Sequence, residues 1–249
     1  MRLLLHQLRA EQKLFWRSRE LAFFTFLLPI LFFLILASAY GDEEIDGADG
    51  YLFLLAGMIG YGASATTFAG LALLLVIRRE SGVLKRLRAT PLPGWAYIVA
   101  VLGSIVFVFF LEAIALLALG RLAFDVALPD NPFSLFAALA LGAAAFAALG
   151  VALTTVIRSA EGSSAVVNAI YLPVAFISGS FFSSDAFPRV LRAVAEVLPL
   201  VHLIRLVRDV MVYGDHIWED PGSVAMVLGW GIFGAVVALR GFRWEPRER

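Results

Sequence analysis

The chain has 249 residues, 61% of them hydrophobic and 16% charged, with a formal net charge of zero. Soluble domains sit near half apolar and a quarter charged, so this composition, with a mean hydropathy of +0.86, excludes an ordinary soluble protein. The neutral balance offers no footprint for nucleic acid, and the absence of cysteine excludes disulfides, thiolate metal sites and a cysteine nucleophile.

The first segment, Met1–Arg19, is too polar to hold the short apolar core of a cleavable signal peptide. On a helical wheel Arg2, His6, Arg9, Lys13 and Arg17 form one stripe. Leu4, Leu5, Leu8, Phe15 and Trp16 lie across from it within an arc of roughly 120°. The pattern predicts an interfacial amphipathic helix over residues 1–20, its cations toward anionic lipid headgroups. Such a helix is either a plain membrane anchor or an elbow that also forms part of a partner surface.

Six apolar stretches follow, matching the roughly 20 helical residues that a hydrocarbon core of about 30 Å requires. They are Leu21–Tyr40, Tyr51–Ile77, Trp95–Leu119, Phe133–Ile157, Ala165–Phe182 and Gly222–Leu239. Strand-like alternation at ten-residue spacing is absent, which argues against an outer-membrane barrel. The expected fold is an all-α polytopic membrane protein with six transmembrane helices, in a single domain spanning residues 1–249. Small residues at helix-packing spacing, Gly57, Gly60, Gly62, Ser64 and Gly70 in the second span and Ala138, Gly142 and Gly150 in the fourth, predict a close bundle. Pro29 and Pro173 interrupt helix hydrogen bonding and predict kinks.

The connections give orientation. The first turn is purely acidic (Asp42, Glu43, Glu44, Asp46, Asp49), whereas Arg78–Gly94 carries five cations. With the N-terminus inside, fifteen Lys and Arg fall on the inner side, against Arg121, Arg189, Arg192, Arg205 and Arg208 outside. The positive-inside rule then places both termini in the cytoplasm. The 39-residue stretch 183–221 is too apolar for a plain loop.

Glu112 is the one acidic residue well inside a span, where a charge is costly and a functional role is the default hypothesis. The structural alternative is that it is protonated or paired with a basic group near the outer face, such as Arg121. Thr66, Thr67, Asn168, Tyr171 and Ser178 are candidates to line a path, although a helical hydroxyl commonly bonds its own backbone.

Several chemistries are missing. Lys13 and Lys85 are the only lysines and neither follows a glycine, so a Walker A loop is impossible and the chain holds no ATP that way. His6, His202 and His216 are too scattered for a metal site, and neither HExxH nor G-x-S-x-G occurs. No metal, cofactor or catalytic residue is expected in this chain, and an enzyme is not expected.

Two blocks carry a family resemblance. Arg79-Glu80-Ser81-Gly82-Val83-Leu84-Lys85-Arg86-Leu87-Arg88-Ala89-Thr90-Pro91-Leu92 closely resembles the loop between the second and third spans of type-2 ABC exporter permeases, most of all the drug and antibiotic exporter branch. Val83 departs from a position often held by Thr. Ile177-Ser178-Gly179-Ser180-Phe181-Phe182, Phe187-Pro188, Leu198-Pro199-Leu200-Val201-His202 and Arg208 resemble the family's stretch after the fifth span. The six-span layout agrees, so the resemblance covers nearly the whole chain.

The resemblance implies a bacterial inner-membrane permease, working as a homodimer or heterodimer in membrane lipid, with a separate ABC ATPase subunit binding ATP and Mg. It implies that residues 78–94 form a coupling helix seated in an ATPase cleft. Within it Arg79 and Glu80 belong to the motif, Gly82 allows a tight turn, and Leu84 and Leu87 are apolar knobs. Lys85, Arg86 and Arg88 supply charge, Thr90 belongs to the motif, and Pro91 and Pro93 stop the helix and redirect the chain into the third span. It implies short re-entrant helices over 183–221 that close the exit, with Pro199, His202 and Arg208 as an external gate. Hydrophobic or amphipathic cargo, a drug, antibiotic or lipid, is expected, with polysaccharide export as the alternative. A proton- or ion-coupled carrier using Glu112, a membrane enzyme and a recruiting scaffold compete with this reading. The carrier calls for inverted repeats, and the two halves show no convincing similarity. The excess of Arg over Lys, 18 against 2, fits a high-GC bacterium.

Overall fold

The computed structural model describes residues 2–183 and 187–246, and of Arg2 the backbone alone. The Arg2 side chain, residues 184–186 of the external segment, and Arg247 and Arg249 of the basic tail therefore lie outside the described residues.

Ser18 separates α1 (Arg2–Arg17) from α2 (Arg19–Tyr40). The acidic turn forms an antiparallel hairpin of β1 (Glu44–Ile45) and β2 (Ala48–Asp49), turning at Asp46 and Gly47, both at positive φ. Asp49 then caps the second span, its carboxylate accepting from the backbone N–H groups of Tyr51 and Leu52 at 3.0 and 3.2 Å. That span is one continuous helix, Gly50–Glu80, built from α3 (Gly50–Gly62), a π-helical segment (Ala63–Gly70) and α4 (Leu71–Glu80). Next come α5 (Val83–Arg88), α6 (Gly94–Phe124), α7 (Pro132–Leu153), α8 (Ala160–Ile177), α9 (Arg189–Ala195), α10 (Pro199–Arg208) and α11 (Pro221–Gly241).

Among the described residues six helices are long and apolar enough to cross a membrane: α2, the composite second span, α6, α7, α8 and α11. They correspond to the six predicted stretches with shifted ends. The fifth, predicted over Ala165–Phe182, runs over Ala160–Ile177, because Ser159 caps it through the Gly162 N–H and Gly179 turns out of it at φ +77°. The fourth, predicted to Ile157, stops at Leu153, where a turn through Thr154 and Thr155 begins. Pro29 and Pro173 sit inside helices that remain continuous.

The second span is the axis of the bundle and, with α7, its most buried helix. Outer faces carry exposed Phe23, Phe24, Phe176, Ile232 and Phe233, as surfaces bathed by lipid tails require. Between spans, backbones approach closely at glycine. A Cβ on Gly150 would meet the Phe68 and Thr67 carbonyl oxygens at 2.8 and 3.0 Å, and one on Gly234 would meet the Leu149 nitrogen at 2.7 Å.

The chain alternates between two ends. At one, Arg79 bonds the Thr154 and Ile157 carbonyls, Glu11 of α1 meets Arg78, and Trp244 packs on Tyr97. At the other, Ser183 donates to Asp46 and Asn131 donates to the Gly214 carbonyl. The segments at the two chain ends and the basic loop thus share one end, and the hairpin and residues 187–220 share the other.

Candidate functional site

The most structured functional candidate is the loop after the second span. Gly82 ends α4 in the left-handed region, φ +72°, with its N–H donating to the Arg79 carbonyl at 3.0 Å. A Cβ added at Gly82 would stand in open space, more than 4 Å from any described neighbour, so backbone conformation alone favours glycine. The turn reverses the chain into α5, and Thr90 Oγ1 then donates to the Leu87 carbonyl at 2.7 Å, closing it. Pro93, extended at φ −61° and ψ 135°, leads into α6.

Burial divides the loop residues into two groups. Lys85, Arg86, Arg88, Thr90 and Pro91 are exposed. Leu84 is fully buried in a cluster with Leu71, Leu75, Tyr97 and Val101, and Leu87 packs against the same cluster. The expectation that Leu84 and Leu87 protrude as knobs is corrected: in a six-residue helix lying on the bundle, these positions face the apolar cluster beneath. Arg79 likewise lies inside, 1% exposed. Its Nη1 and Nη2 donate to the Thr154 and Ile157 carbonyls at 2.7 and 2.6 Å, and its Nε donates to Glu80 Oε1 at 2.7 Å. Arg79 therefore clamps the ends of the second and fourth spans together, using carbonyls that the end of α7 leaves free.

A second network, invisible in the motif, joins the loop to α1. Arg78 Nη2 donates to Glu11 Oε2 and Nη1 to the Tyr97 hydroxyl, both at 2.7 Å. Gln12 Nε2 donates to Ser104 of α6 at 2.9 Å. Leu5, Leu14 and Trp16 are exposed, so polar side chains dock this helix on the bundle while much of its apolar surface is left free. Glu11, the one acid of α1, lies across from the basic stripe on the face that carries Leu4, Leu8 and Phe15, and an acid on that face is the signal that foretells such a partner. Trp244, against Gly94 and Tyr97, gives no sequence signal beyond being aromatic.

The proposed path residues do not form one surface. Glu112 is buried between the second and third spans, where Thr66 Oγ1 donates to its Oε2 at 2.7 Å and Oε1 has no hydrogen-bond partner among the described residues. The anticipated Arg121 partner is corrected, since Arg121 pairs with Asp125 at 2.8 Å. The nine residues separating Glu112 from Arg121 place them about 13 Å apart along a straight helix. Thr67 Oγ1 donates to the Ala63 carbonyl of its own helix at 2.6 Å. Tyr171 is buried with its ring 5.6 Å from that of Tyr61. Ser178 Oγ donates to the Val174 carbonyl, and Asn168 is exposed on α8, donating to Ser164.

At the opposite end α10 is the hub. Pro199 begins it and is buried. His202, also buried, sits with Nδ1 3.0 Å from Ser223 Oγ of α11 and Nε2 2.9 Å from the Glu196 carbonyl. Arg208 donates to the Gly179 carbonyl at 2.5 Å and lies 3.5 Å over the Phe53 ring of the second span. His202 and Arg208 thus bind α10 to the second, fifth and sixth spans, and Pro199 starts the helix that carries them. Beyond it, burial pushes the Asp209 carboxyl up to about 6, with repulsion from Asp220 and Asp215 adding to the effect. Among the described residues no group of His, Cys, Asp and Glu could hold a metal ion.

Six spans, a positioned basic helix at one end and a braced helical segment at the other define a polytopic helical membrane protein. The family model described as ABC-2 type transporter matches residues 2–212, and the chain belongs to that family. Members are membrane components, not themselves the ATPase, and the family implies an ABC ATPase partner. A particular relative is Nodulation protein J of Rhizobium leguminosarum bv. trifolii, 36% identical over 73 residues, or 29% of this chain. The match spans 28% of that relative's length.

Proposed function

We propose that the chain is the permease of an ATP-driven exporter that moves a hydrophobic or amphipathic substrate, a drug, an antibiotic or a lipid, outward across a bacterial inner membrane. The observation that carries this reading is α5. Its cations Lys85, Arg86 and Arg88 point away from the bundle, while Leu84 beneath it and Arg79 beside it fix it to the ends of the spans. A charged helix held rigidly from below suits the transfer of motion from a docked partner. That partner is a separate ABC ATPase, which binds ATP and Mg.

In this reading both termini and α5 are cytoplasmic, and the whole chain is one permease domain. Residues 183–221 close the outer side, with Pro199, His202 and Arg208 as the brace that must shift on opening. The exposed face of α8, bearing Ser164 and Asn168 among apolar side chains, packs against a second permease, identical or related. Thr67, Glu112, Tyr171 and Ser178 act from within each protomer rather than from the path wall. Glu112, with an unpartnered buried oxygen, is the one observation that favours a second reading, a proton-coupled carrier.

Co-reconstitution of the chain with its co-purifying ATPase in liposomes separates the readings. An exporter moves a fluorescent amphipath only when ATP is supplied on the ATPase side. Transport driven by a pH gradient without ATP overturns the proposal in favour of the carrier.

A further inference from the structure

A groove of about 510 Å³ opens between α1, α2 and the second and third spans. Ser18 lies at its rim at the α1–α2 junction, and Pro29, Tyr61 and Tyr171 line its far end. Along the second span its wall runs from Arg78 to Tyr61. Seventeen helical residues cover about 25 Å, longer than the roughly 15 Å of hydrocarbon in one leaflet. The volume is that of a ligand site rather than a packing defect.

Most of the polar groups along the wall are already engaged, although the Tyr171 hydroxyl at the far end has no hydrogen-bond partner among the described residues. Thr25 Oγ1 donates to the Leu21 carbonyl at 2.8 Å, Thr66 to Glu112, and Arg78 to Glu11 and Tyr97. Ser104 receives Gln12. A water needs two to four free polar partners, and between its two ends the wall is lined mainly by apolar side chains such as Leu28, Ala65, Ala69, Leu73 and Val108, so this stretch suits hydrocarbon. Its mouth is different. Arg17 and Arg19 flank Ser18, and both are exposed. Lys13 and Arg9 are exposed one and two turns back along α1.

We infer that this groove holds one phospholipid with an anionic headgroup, drawn from the leaflet at the α1 end. One acyl chain lies along the second span past Ala65 and Ala69, and the phosphate sits against Arg17 and Arg19. The lipid is a resident component and not cargo, so the inference does not depend on the export reading. Charge complementarity at the mouth and the apolar length of the wall both select it. Its position against α1 and Arg78 lets it set how firmly the elbow helix rests on the basic loop's end of the bundle.

The test is native mass spectrometry of the full chain, extracted mildly from bilayers of phosphatidylethanolamine and phosphatidylglycerol. One phosphatidylglycerol per chain is expected to persist at detergent levels that strip the annulus. Ala65→Phe, at a half-buried position on the wall, fills the groove and is expected to lose it. The Arg17→Gln/Arg19→Gln variant alters exposed positions only, so it reports even if the first variant fails to fold. It is expected to lower the preference for phosphatidylglycerol over phosphatidylethanolamine about tenfold. A wild-type chain that emerges without lipid, equal retention by a folded Ala65→Phe variant, or an unchanged headgroup preference in the double variant each overturns the inference.

Discussion

Arg79→Gln separates the clamp from the docking surface. Arg79 is almost wholly buried and holds three bonds, two of them to carbonyls near the end of the fourth span. Glutamine is shorter, uncharged and without the fork that reaches both carbonyls, and it leaves Glu80, with a side chain 15% exposed, without its ion-pair partner. Removing one member of such a buried charged network costs about 3 kcal/mol. For a chain of this size that corresponds to a midpoint roughly 10 °C lower, readable by thermal unfolding in detergent. Arg86→Glu should behave oppositely. It alters an exposed side chain, so its stability should stay within about 0.5 kcal/mol of wild type, while ATPase retention falls. If Arg79→Gln melts like wild type, the clamp is refuted. If Arg86→Glu both melts early and keeps its ATPase, the division of the loop into inner and outer residues is wrong.

Three further outcomes follow from the geometry. Gly82→Ala should cost about 1 kcal/mol through its left-handed backbone alone and lower substrate-stimulated ATPase activity of the reconstituted complex, with wild-type activity counting against a fixed turn. Glu112→Gln keeps an acceptor for Thr66 and should export at near wild-type rate, whereas Glu112→Leu orphans that hydroxyl and should cost about 1–3 kcal/mol; abolished transport in the Gln variant favours the carrier. Asp209 titrates higher when folded than unfolded, so the folded state binds its proton more tightly and its contribution to stability falls as pH rises from about 4 to 6. The outer segment should therefore resist proteolysis better at pH 5 than at pH 7, and Asp209→Asn should flatten the difference.

The six spans are legible in the sequence because each needs only a long apolar run, and Gly82 because few residues adopt a left-handed turn. What escapes is direction and distance. The Leu-x-x-Leu spacing of Leu84 and Leu87 places both on one face, but whether that face meets the bundle or a partner depends on the packing of Leu71, Tyr97 and Val101. Arg79 reads as part of a basic docking motif, because its carbonyl partners lie 75 and 78 residues away. Arg121 matches Glu112 by charge, although Asp125, one helical turn on, is the nearer partner. The π-helical segment that carries Thr66 to Glu112 has no composition of its own and is set by packing.

The decisive measurement is purification of the tagged chain from its native membrane, with mass-spectrometric identification of whatever accompanies it in stoichiometric amount. If α5 is a docking helix, a Walker A-bearing ATPase is recovered with the wild-type chain and lost from a Lys85→Glu/Arg86→Glu/Arg88→Glu variant whose melting is unchanged. A chain recovered without any nucleotide-binding partner, or an ATPase retained equally by that variant, contradicts it.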